Sequence, residues 1–127
     1  MKSVRARIHQ FGAGAPTVPP DVRTAGAALE GKLMEVEGRI LDLRLTGEGQ
    51  DRVRWPARLG SQLGHLANGI GASDFAPTQH EMEVATLLAR GTRDVQSALR
   101  AVLNGDLAAY NARLRAAGLP PIETVVF

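Results

Sequence analysis

The sequence predicts an all-α protein, an up-down antiparallel bundle of three main helices with one or two short ones. The chain has 127 residues, a length typical of one domain, and 44% of them are hydrophobic, which is enough for a core. Aromatic residues make up only 4%, so aliphatic residues must build that core, which favours helices over a β-sandwich or barrel. Apolar residues also recur at helical spacing in long segments, and the short loops between them indicate antiparallel neighbours. We therefore predict a single helical domain over residues 1–127.

The first segment, residues 2–11, has apolar residues at both helical and strand spacing. Val4, Ile8 and Phe11 are four and three residues apart, as on one face of a helix, although Val4 and Ile8 also fit an alternating strand. We favour a short helix because the rest of the chain is helical. A stretch rich in Gly and Pro follows, so residues 1–20 are interpreted as the possible end of a preceding helix plus a loop.

The second segment has the clearest helical pattern, and Asp21 stands at its start as a candidate cap. Apolar residues recur every seven positions, at Val22, Leu29, Val36 and Leu43, and the intermediate positions of the stripe are filled by Ala25 or Gly26, Leu33 and Ile40. This stripe is either the intramolecular core or the seam of a dimer. Three glycines lower the helix propensity by about 1 kcal/mol each relative to Ala, which indicates close helix packing or a need for partners. They are Gly26, Gly31 and Gly38.

The third helix is predicted after a turn at residues 46–51, with Pro56 near its first turn, where a missing N–H does no harm. Its apolar residues follow a 4, 3, 4 spacing, at Leu59, Leu63, Leu66 and Ile70. The pair Asn68-Gly69 has the chemistry of a helix end. We therefore predict that this helix ends near Asn68 and that Ile70 is a contact after the cap.

The fourth helix is expected to open at Pro77 and Thr78, and Thr78 and Glu81 have the spacing of a capping box. One face of this helix is apolar, and it is formed by Met82, Ala85, Leu88 or Ala89, Thr92, Val95, Leu99 and Val102. The pair Asn104-Gly105 is predicted to end the helix, because Gly disfavours helical backbone.

A last short helix is predicted between Asp106, which caps it, and Gly118, which ends it. Asn111 lies inside this helix and is expected to bond to another helix end. Pro120 then turns the chain out. The tail, residues 122–127, is apolar and strand-like, and it either docks on the bundle or forms an exposed end.

Composition excludes several classes of protein. The chain has no Cys, which excludes a disulfide framework and a thiol nucleophile. No apolar run approaches the length of a membrane span, and the start lacks the apolar segment of a secretory signal, so we predict neither feature and leave the compartment open. The net charge of +2 is too weak to indicate nucleic-acid binding by itself.

The titratable residues form no pattern typical of a catalytic or metal site. His65 and His80, with Asp74 or Glu81, are the best candidates for metal ligands, but their spacing matches no known motif and they are interpreted as surface residues. Neighbouring carboxylates such as Glu35 and Glu37 diverge around their helix instead of converging on one bond. No nucleophile or phosphate-binding motif is present. We therefore predict no catalytic residue, no cofactor and no metal, and we interpret the chain as not an enzyme.

The most polar local feature surrounds the only Trp of the chain. Arg52, Arg54 and Arg58 flank Trp55, and three arginines around an indole ring can bind a phosphate or stack on a sugar or base. The alternative is structural: Trp55 packs over the helix start, and the arginines are solvated or pair with Asp51.

Two separated stretches of the chain resemble a known helical region. The first contains Trp55-Pro56-Ala57-Arg58-Leu59, Gly69 and Asp74-Phe75-Ala76-Pro77-Thr78, and the second contains Asn111, Leu114, Gly118 and Pro120. Together they resemble the C-terminal helical region of large bacterial proteins built around sortilin-like or BNR/YVTN β-propellers. Those proteins are often labelled glycosyl hydrolase or exo-sialidase-like. The resemblance covers about residues 21–122, although Gly60-Ser61-Gln62 stand where the family usually has polar Asn and Lys residues.

The resemblance implies an accessory domain that follows a propeller, and relatives with propellers are often exported. The resemblance implies no catalytic or sugar-binding residue in this chain, because those residues belong to the propeller. We therefore predict a non-catalytic helical domain that packs on a protein partner domain or forms a homodimer. One alternative is a carbohydrate-binding or lid part of a glycan-acting hydrolase, with Trp55 stacking on sugar. The other alternative is a weak basic nucleic-acid-binding module.

Overall fold

The protein is an all-α helical bundle, as the sequence predicts. The structure is a computed structural model that describes residues 2–11, 18–45 and 54–124, and these ranges contain no strand. The helices are α1 (Lys2–Gln10), α2 (Pro20–Ile40), α3 (Leu59–Gly71), α4 (Gln79–Ala101) and α5 (Ala108–Ala116), with a π-helical segment (Val102–Leu107) between α4 and α5. The turn predicted at residues 46–51 lies outside the described residues. No helix in the described ranges is long and apolar enough to cross a membrane.

The chain divides into two compact units. Unit 1 comprises Met1–Glu35 and Ala98–Phe127, and unit 2 comprises Val36–Ser97. Helices α2 and α4 therefore contribute residues to both units. The single domain predicted over residues 1–127 stays a prediction.

Helices α1 and α2 pack antiparallel in unit 1. The Arg5 guanidinium donates to Glu30 Oε1 at 3.4 Å, and Ile8 lies against Gly26, so residue numbers rise along α1 as they fall along α2. His9 Nε2 also lies 2.8 Å from Glu30 Oε1. Val4 and Ile8 are buried, as on one face of a helix. The helix favoured for this segment is confirmed, and the alternative of a strand is wrong.

Helix α2 begins one residue before its predicted cap. Pro20 occupies the first helical position, where its missing N–H has no intrahelical partner to lose, and the Pro19 carbonyl accepts the first helical hydrogen bond. Asp21 lies within the first turn, where its charge interacts favourably with the positive end of the helix dipole. The helix ends at Ile40, so Leu43, the last residue of the predicted stripe, lies beyond it and is 40% exposed.

The apolar stripe of α2 belongs to the core of the chain itself. Val22, Leu29 and Leu33 are at most 3% exposed within a single copy of the chain. A dimer seam would leave such side chains open to solvent in one copy. The alternative of a dimer seam is therefore wrong for this part of the stripe.

The helix end predicted at Asn104-Gly105 is not present. Helix α4 continues through the π-helical segment into α5, and the backbone on both sides of that segment is helical. The wider π turn allows Val102 and Leu107, which are five residues apart, to be buried together. Burial of these side chains outweighs the low helix propensity of an Asn-Gly pair.

Helix α5 packs antiparallel against α2 in unit 1. The Lys32 ammonium pairs with Asp106 at 2.5 Å near one end of the contact, and Arg113 lies 4.0 Å from Asp21 near the other. The prediction that Asp106 caps a separate short helix is wrong, because this residue lies inside the continuous π-helical segment. Its carboxylate joins two helices instead.

Gly118 ends α5 as predicted. Its φ of 70° is in the left-handed region, which glycine adopts without the steric penalty of a side chain. The Gly118 N–H donates to the Arg115 carbonyl at 3.0 Å, and the Leu119 N–H donates to the Leu114 carbonyl at 2.8 Å. These two bonds form a Schellman motif.

The segment after α5 is held by the side chain of Asn111. Its amide N–H donates to the Ile122 carbonyl at 2.9 Å, and its amide oxygen accepts from the Ile122 N–H at 2.7 Å. Ile122 is 2% exposed. Asn111 therefore bonds to the tail and not to another helix end, and the tail docks at Ile122. Residues 125–127 lie outside the described part of the chain.

Helices α3 and α4 form an antiparallel hairpin in unit 2. A Cβ atom added at Gly91 would stand 3.4 Å from Leu59 Cδ1, and one added at Gly69 would stand 3.8 Å from Glu81 Oε1. The start of α3 therefore lies beside the middle of α4, and its end lies beside the start of α4.

Helix α3 differs from its prediction at both ends. It begins at Leu59, so Pro56 lies outside the helix and not in its first turn. It also runs through Asn68-Gly69 to Gly71, past the predicted end. Ile70 is half-buried at a position that continues the 4, 3, 4 spacing of the apolar stripe. Packing of this stripe outweighs the local preference of Asn-Gly for a helix end.

The predicted capping box at the start of α4 is confirmed. The Glu81 N–H donates to Thr78 Oγ1 at 3.3 Å, and the Thr78 N–H donates to Glu81 Oε2 at 2.7 Å. The bond from the Thr78 backbone, followed by that from its hydroxyl, holds the pKa of Glu81 below its ordinary value, because both bonds favour the carboxylate.

Candidate functional site

Exposed apolar side chains are concentrated in unit 2. Among the described residues, eight large apolar side chains are exposed, and seven of them lie in unit 2. The eight are Met34, Leu41, Leu43, Leu45, Leu63, Phe75, Met82 and Leu87. Unit 1 holds eleven of the fourteen buried apolar side chains of the described residues. Unit 2 therefore leaves an unusually large share of its apolar side chains in contact with solvent.

Helix α3 has no buried residue. Leu63 in its apolar stripe is 38% exposed, and the other stripe residues are half-buried. None of its 13 residues is Asp, Glu, Lys or Arg, in a chain with 22% charged residues. A helix that faces solvent normally has charged residues on its outer side, whereas the centre of a protein interface is depleted in charge. The composition of α3 is therefore typical of an interface.

The α3–α4 hairpin extends beyond the end of α2. A Cβ atom added at Gly60 would stand 3.0 Å from the carbonyl oxygen of Ile40, the last residue of α2. Gly91 of α4 lies at the same level, beside Leu59. We call residues 61–90 the open hairpin. Two helices alone cover each other along a single line, so the apolar side chains on both sides of that line stay open.

Met82 and Leu87 are the most exposed large apolar residues of α4. Met82 is 56% exposed and Leu87 is 64% exposed, and Phe75 in the turn between the helices is 85% exposed. The sequence places Met82 on the core face of its helix, and that prediction is wrong. Its neighbours on that face, Leu88 and Val95, are buried as predicted. The absence of charge from α3 is the signal by which the sequence could have identified the open hairpin.

Trp55 and Arg58 belong to a polar cluster around Asp42. Asp42 is 4% exposed, and both of its carboxylate oxygens accept hydrogen bonds from the Arg44 guanidinium, at 2.8 and 2.7 Å. Arg58 lies 3.6 Å from the same carboxylate. The Arg44 guanidinium stacks on the Trp55 ring, 3.8 Å from its centroid. The arginine that contacts the Trp is therefore one that sequence reasoning did not single out.

Of the other residues predicted around Trp55, the structure describes only Arg54. Arg54 is exposed, and Arg52 and Asp51 lie outside the described residues. Trp55 is half-buried, with one face occupied by Arg44. The cluster has the geometry of a structural turn in which Asp42 also accepts the Arg44 backbone N–H at 3.1 Å. An Asp-x-Arg spacing after a helix end is the sequence signal for that turn.

We expect Asp42 to make the stability of the chain depend on pH. The Arg44 side chain bonded to it, followed by its backbone bond and the nearby charges, holds the pKa of Asp42 far below its ordinary value. A carboxyl whose pKa is lowered by folding stabilises the protein above its unfolded pKa, and this contribution is lost as the pH falls towards the folded pKa. We expect wild type to be more stable than Asp42→Asn at pH 7, and the difference to shrink below about pH 4.

The measurement is the free energy of unfolding of both chains, by urea denaturation, between neutral and acid pH. Asp74→Asn removes the same charge from an exposed position in the α3–α4 turn and is the control. A difference between wild type and Asp42→Asn that stays constant down to pH 2 would contradict the prediction.

A shallow cleft lies between α2 and α5 of unit 1. It has a volume of about 240 Å³, and alanines and Leu29 form much of its lining. The Lys32–Asp106 ion pair and Arg113 stand at its edges. Burial raises the pKa of Tyr110, which also lines the cleft. Both walls of the cleft are helices with small apolar side chains, so it has the character of a helix contact.

The described residues include no cluster of three His, Cys, Asp or Glu side chains that could hold a metal ion. His65 and His80 are both exposed. The remaining motif residues have structural positions. Leu114 is completely buried, Phe75 and Pro77 are exposed in the α3–α4 turn, and Pro120 is exposed after α5.

No model of a protein family, no curated protein and no solved structure matches this chain. The resemblance to the helical region that follows sortilin-like or BNR/YVTN propellers therefore stays a prediction. Functional hypotheses for this chain depend on its own residues and their geometry.

Proposed function

We propose that this chain is a non-catalytic helical interaction module, and that it packs its open hairpin against another protein surface. The proposal rests on one observation about α3. This helix has an apolar stripe and lacks Asp, Glu, Lys and Arg, yet none of its residues is buried. Apolar patches of this kind on a soluble protein mark interaction sites more often than they are incidental.

The composition of α3 also makes this helix weakly stable by itself, which supports the proposed function. Four of its 13 residues are glycines, and each costs about 1 kcal/mol of helix stability relative to Ala. A helix of that length is marginal in water without tertiary packing. Helix α4 packs against only one side of α3, and contact with a partner would supply packing on the other side.

Two other functions rest on Trp55 and its arginines. Carbohydrate stacking needs an open indole face, and Arg44 covers one of the two faces. Phosphate or nucleic-acid binding needs unpaired cations, and Arg58 lies beside the buried Asp42 carboxylate. The geometry favours neither, and both stay predictions. The resemblance to propeller-associated helical regions, with their hydrolase labels, supports a partner domain as one class of protein surface for the open hairpin.

The proposed function predicts that the exposed apolar residues of the open hairpin are dispensable for folding. We expect the double variant Phe75→Ser, Met82→Gln to keep its free energy of unfolding within about 1 kcal/mol of wild type, since both side chains are mostly exposed. At submicromolar concentration the variant should also bind less of the apolar dye ANS, because it exposes less apolar surface.

The control is Met34→Gln, which replaces an exposed methionine of unit 1 and should change neither the stability nor the dye binding of the open hairpin. Loss of more than about 2 kcal/mol in the double variant would show that these residues belong to the folded core, and would overturn the proposal. Unchanged dye binding would also contradict it.

A further inference from the structure

We infer that the partner of the open hairpin is a second copy of this chain, with two open hairpins packed face to face as a four-helix bundle. This inference rests on the proposed function and adds the identity of the partner. It depends on which side of the hairpin is apolar, on the charge of the two surfaces and on their size.

Within the open hairpin, one flank of α4 is free of charge and the other is not, and the first charged residue on the line of Met82 is Arg93, beyond the open hairpin. Residues three, four and seven positions from Met82 are Ala85, Thr86 and Ala89, none of which is charged. The corresponding neighbours of Leu87 include Glu83, Arg90 and Asp94. Met82 and Leu87 are five residues apart, which places them about 140° apart around the helix. The flank of Met82 therefore has the composition of an interface, and the flank of Leu87 has that of a solvent face.

The Met82 flank lies on the side of α4 that faces away from α3. On α4, Gly91 faces α3, whereas Ala85 and Thr92 are half-buried on the opposite side of the buried Leu88. On α3, Gly60 faces the end of α2, and Leu63 lies one turn further along on the same side. Helix α2 stops at Ile40, so the position it would occupy beside Leu63 is left uncovered. A helix from a partner fits that position.

A second copy can cover this apolar face without bringing like charges together. Two helical hairpins with one apolar face each are the standard halves of a four-helix bundle, and a two-fold axis pairs the same surface on both copies. Unit 2 has seven arginines and eight acidic residues in its sequence, so its net charge is −1 and two copies meet with little electrostatic repulsion. A strongly charged partner would find no complementary field on α3.

The size of the face determines the expected affinity. Helix α3 is about 20 Å long, and two adjacent helices are about 20 Å wide, which gives a footprint of about 400 Å². That is roughly half of the area that each partner buries in a standard stable interface. We therefore expect a weak, reversible dimer with a Kd of about 10–100 µM.

The test is sedimentation equilibrium of the full chain between about 1 µM and 1 mM, a range that brackets the expected Kd. We expect wild type to dimerise reversibly. Met82→Glu places a charge in the uncharged face and should weaken the dimer at least tenfold. Leu87→Glu makes the same change on the charged flank and should alter the Kd less than about threefold, since rim positions contribute little.

A second readout uses the absence of cysteine from the chain. Met82→Cys should cross-link two copies through a short bismaleimide, and Leu87→Cys should not. A wild-type chain that stays monomeric at 1 mM, or a dimer that Met82→Glu does not weaken, would overturn the inference. If wild type is monomeric while Phe75→Ser, Met82→Gln keeps its stability and binds less dye, the interaction module stands and the second copy is excluded. Loss of stability in that variant removes both proposals.

Discussion

Replacing Leu114 with Ala is expected to lower the free energy of unfolding by about 3 kcal/mol, within the range of 2–5 kcal/mol typical of buried Leu→Ala changes. Leu114 is completely buried in unit 1, so the substitution removes apolar burial and leaves a cavity that close-packed neighbours cannot fully fill. Urea denaturation followed by circular dichroism measures the effect through the midpoint and slope of the transition.

The matched control for this change is Leu87→Ala, because Leu87 is also helical but is 64% exposed. We expect it to change the free energy of unfolding by less than about 0.5 kcal/mol. A Leu114→Ala chain that is as stable as Leu87→Ala would show that Leu114 does not lie in a packed core, and would contradict the arrangement of α5 in unit 1.

The second large effect is expected at Gly26, where α2 meets Tyr110 of α5. A Cβ atom added at Gly26 would stand 2.9 Å from the Tyr110 hydroxyl and 3.3 Å from Cζ, and Tyr110 is 2% exposed. The buried ring has little room to shift, so we expect Gly26→Ala to destabilise the chain by about 1–3 kcal/mol through overpacking, despite the higher helix propensity of Ala. Thermal and urea denaturation measure this loss.

Gly31→Ala is the matched control for Gly26→Ala. It lies in the same helix with nothing within 4 Å of an added Cβ atom, so Ala should stabilise the chain by up to about 1 kcal/mol. Adding Tyr110→Phe to Gly26→Ala should recover much of the lost stability, since it removes the clashing oxygen. That hydroxyl is buried and has no hydrogen-bond partner among the described residues, so its loss costs little by itself. Equal stability of Gly26→Ala and Gly31→Ala would contradict this contact.

Local signals in the sequence correctly predicted two helix ends. One is set by a capping side chain and the other by the left-handed conformation of a glycine. The capping box of Thr78 and Glu81 and the Schellman motif at Gly118 both depend on residues within a few positions of the helix end. The heptad stripe of α2 was readable for the same reason, because helical periodicity is a local property. Three of its residues, Val22, Leu29 and Leu33, lie in the core of unit 1.

Asn-Gly pairs were misread in both places where they occur. The pairs at residues 68–69 and 104–105 lie inside helical segments, although their intrinsic propensity favours a helix end. Distant residues decide the outcome, because the apolar side chains beyond the two pairs, half-buried Ile70 and buried Leu107, gain contacts by continuing the helix. Only the tertiary contacts show whether the gain from that packing exceeds the local cost.

The candidate site was predictable in its chemistry and not in its location. The sequence shows that α3 has no Asp, Glu, Lys or Arg, a composition typical of the centre of an interface. It left Trp55 open as either a recognition site or a structural residue, and the structure pairs Arg44 with Asp42 and with the indole ring. It also placed Met82 in the core, because an apolar residue at helical spacing has the same pattern whether or not another helix covers it.

The sequence by itself determined that this protein is all-α and where most of its helices run. It also determined that Thr78 caps the start of one helix and that Gly118 ends another. These properties depend on propensity and on hydrogen bonds between near neighbours in the chain. The tertiary structure decided which apolar stripes are covered. Leu33 is completely buried and Leu63 is 38% exposed, although both have the spacing of core residues. The physical reason is that burial depends on a second surface, and α2 ends at Ile40 before it can cover the rest of α3.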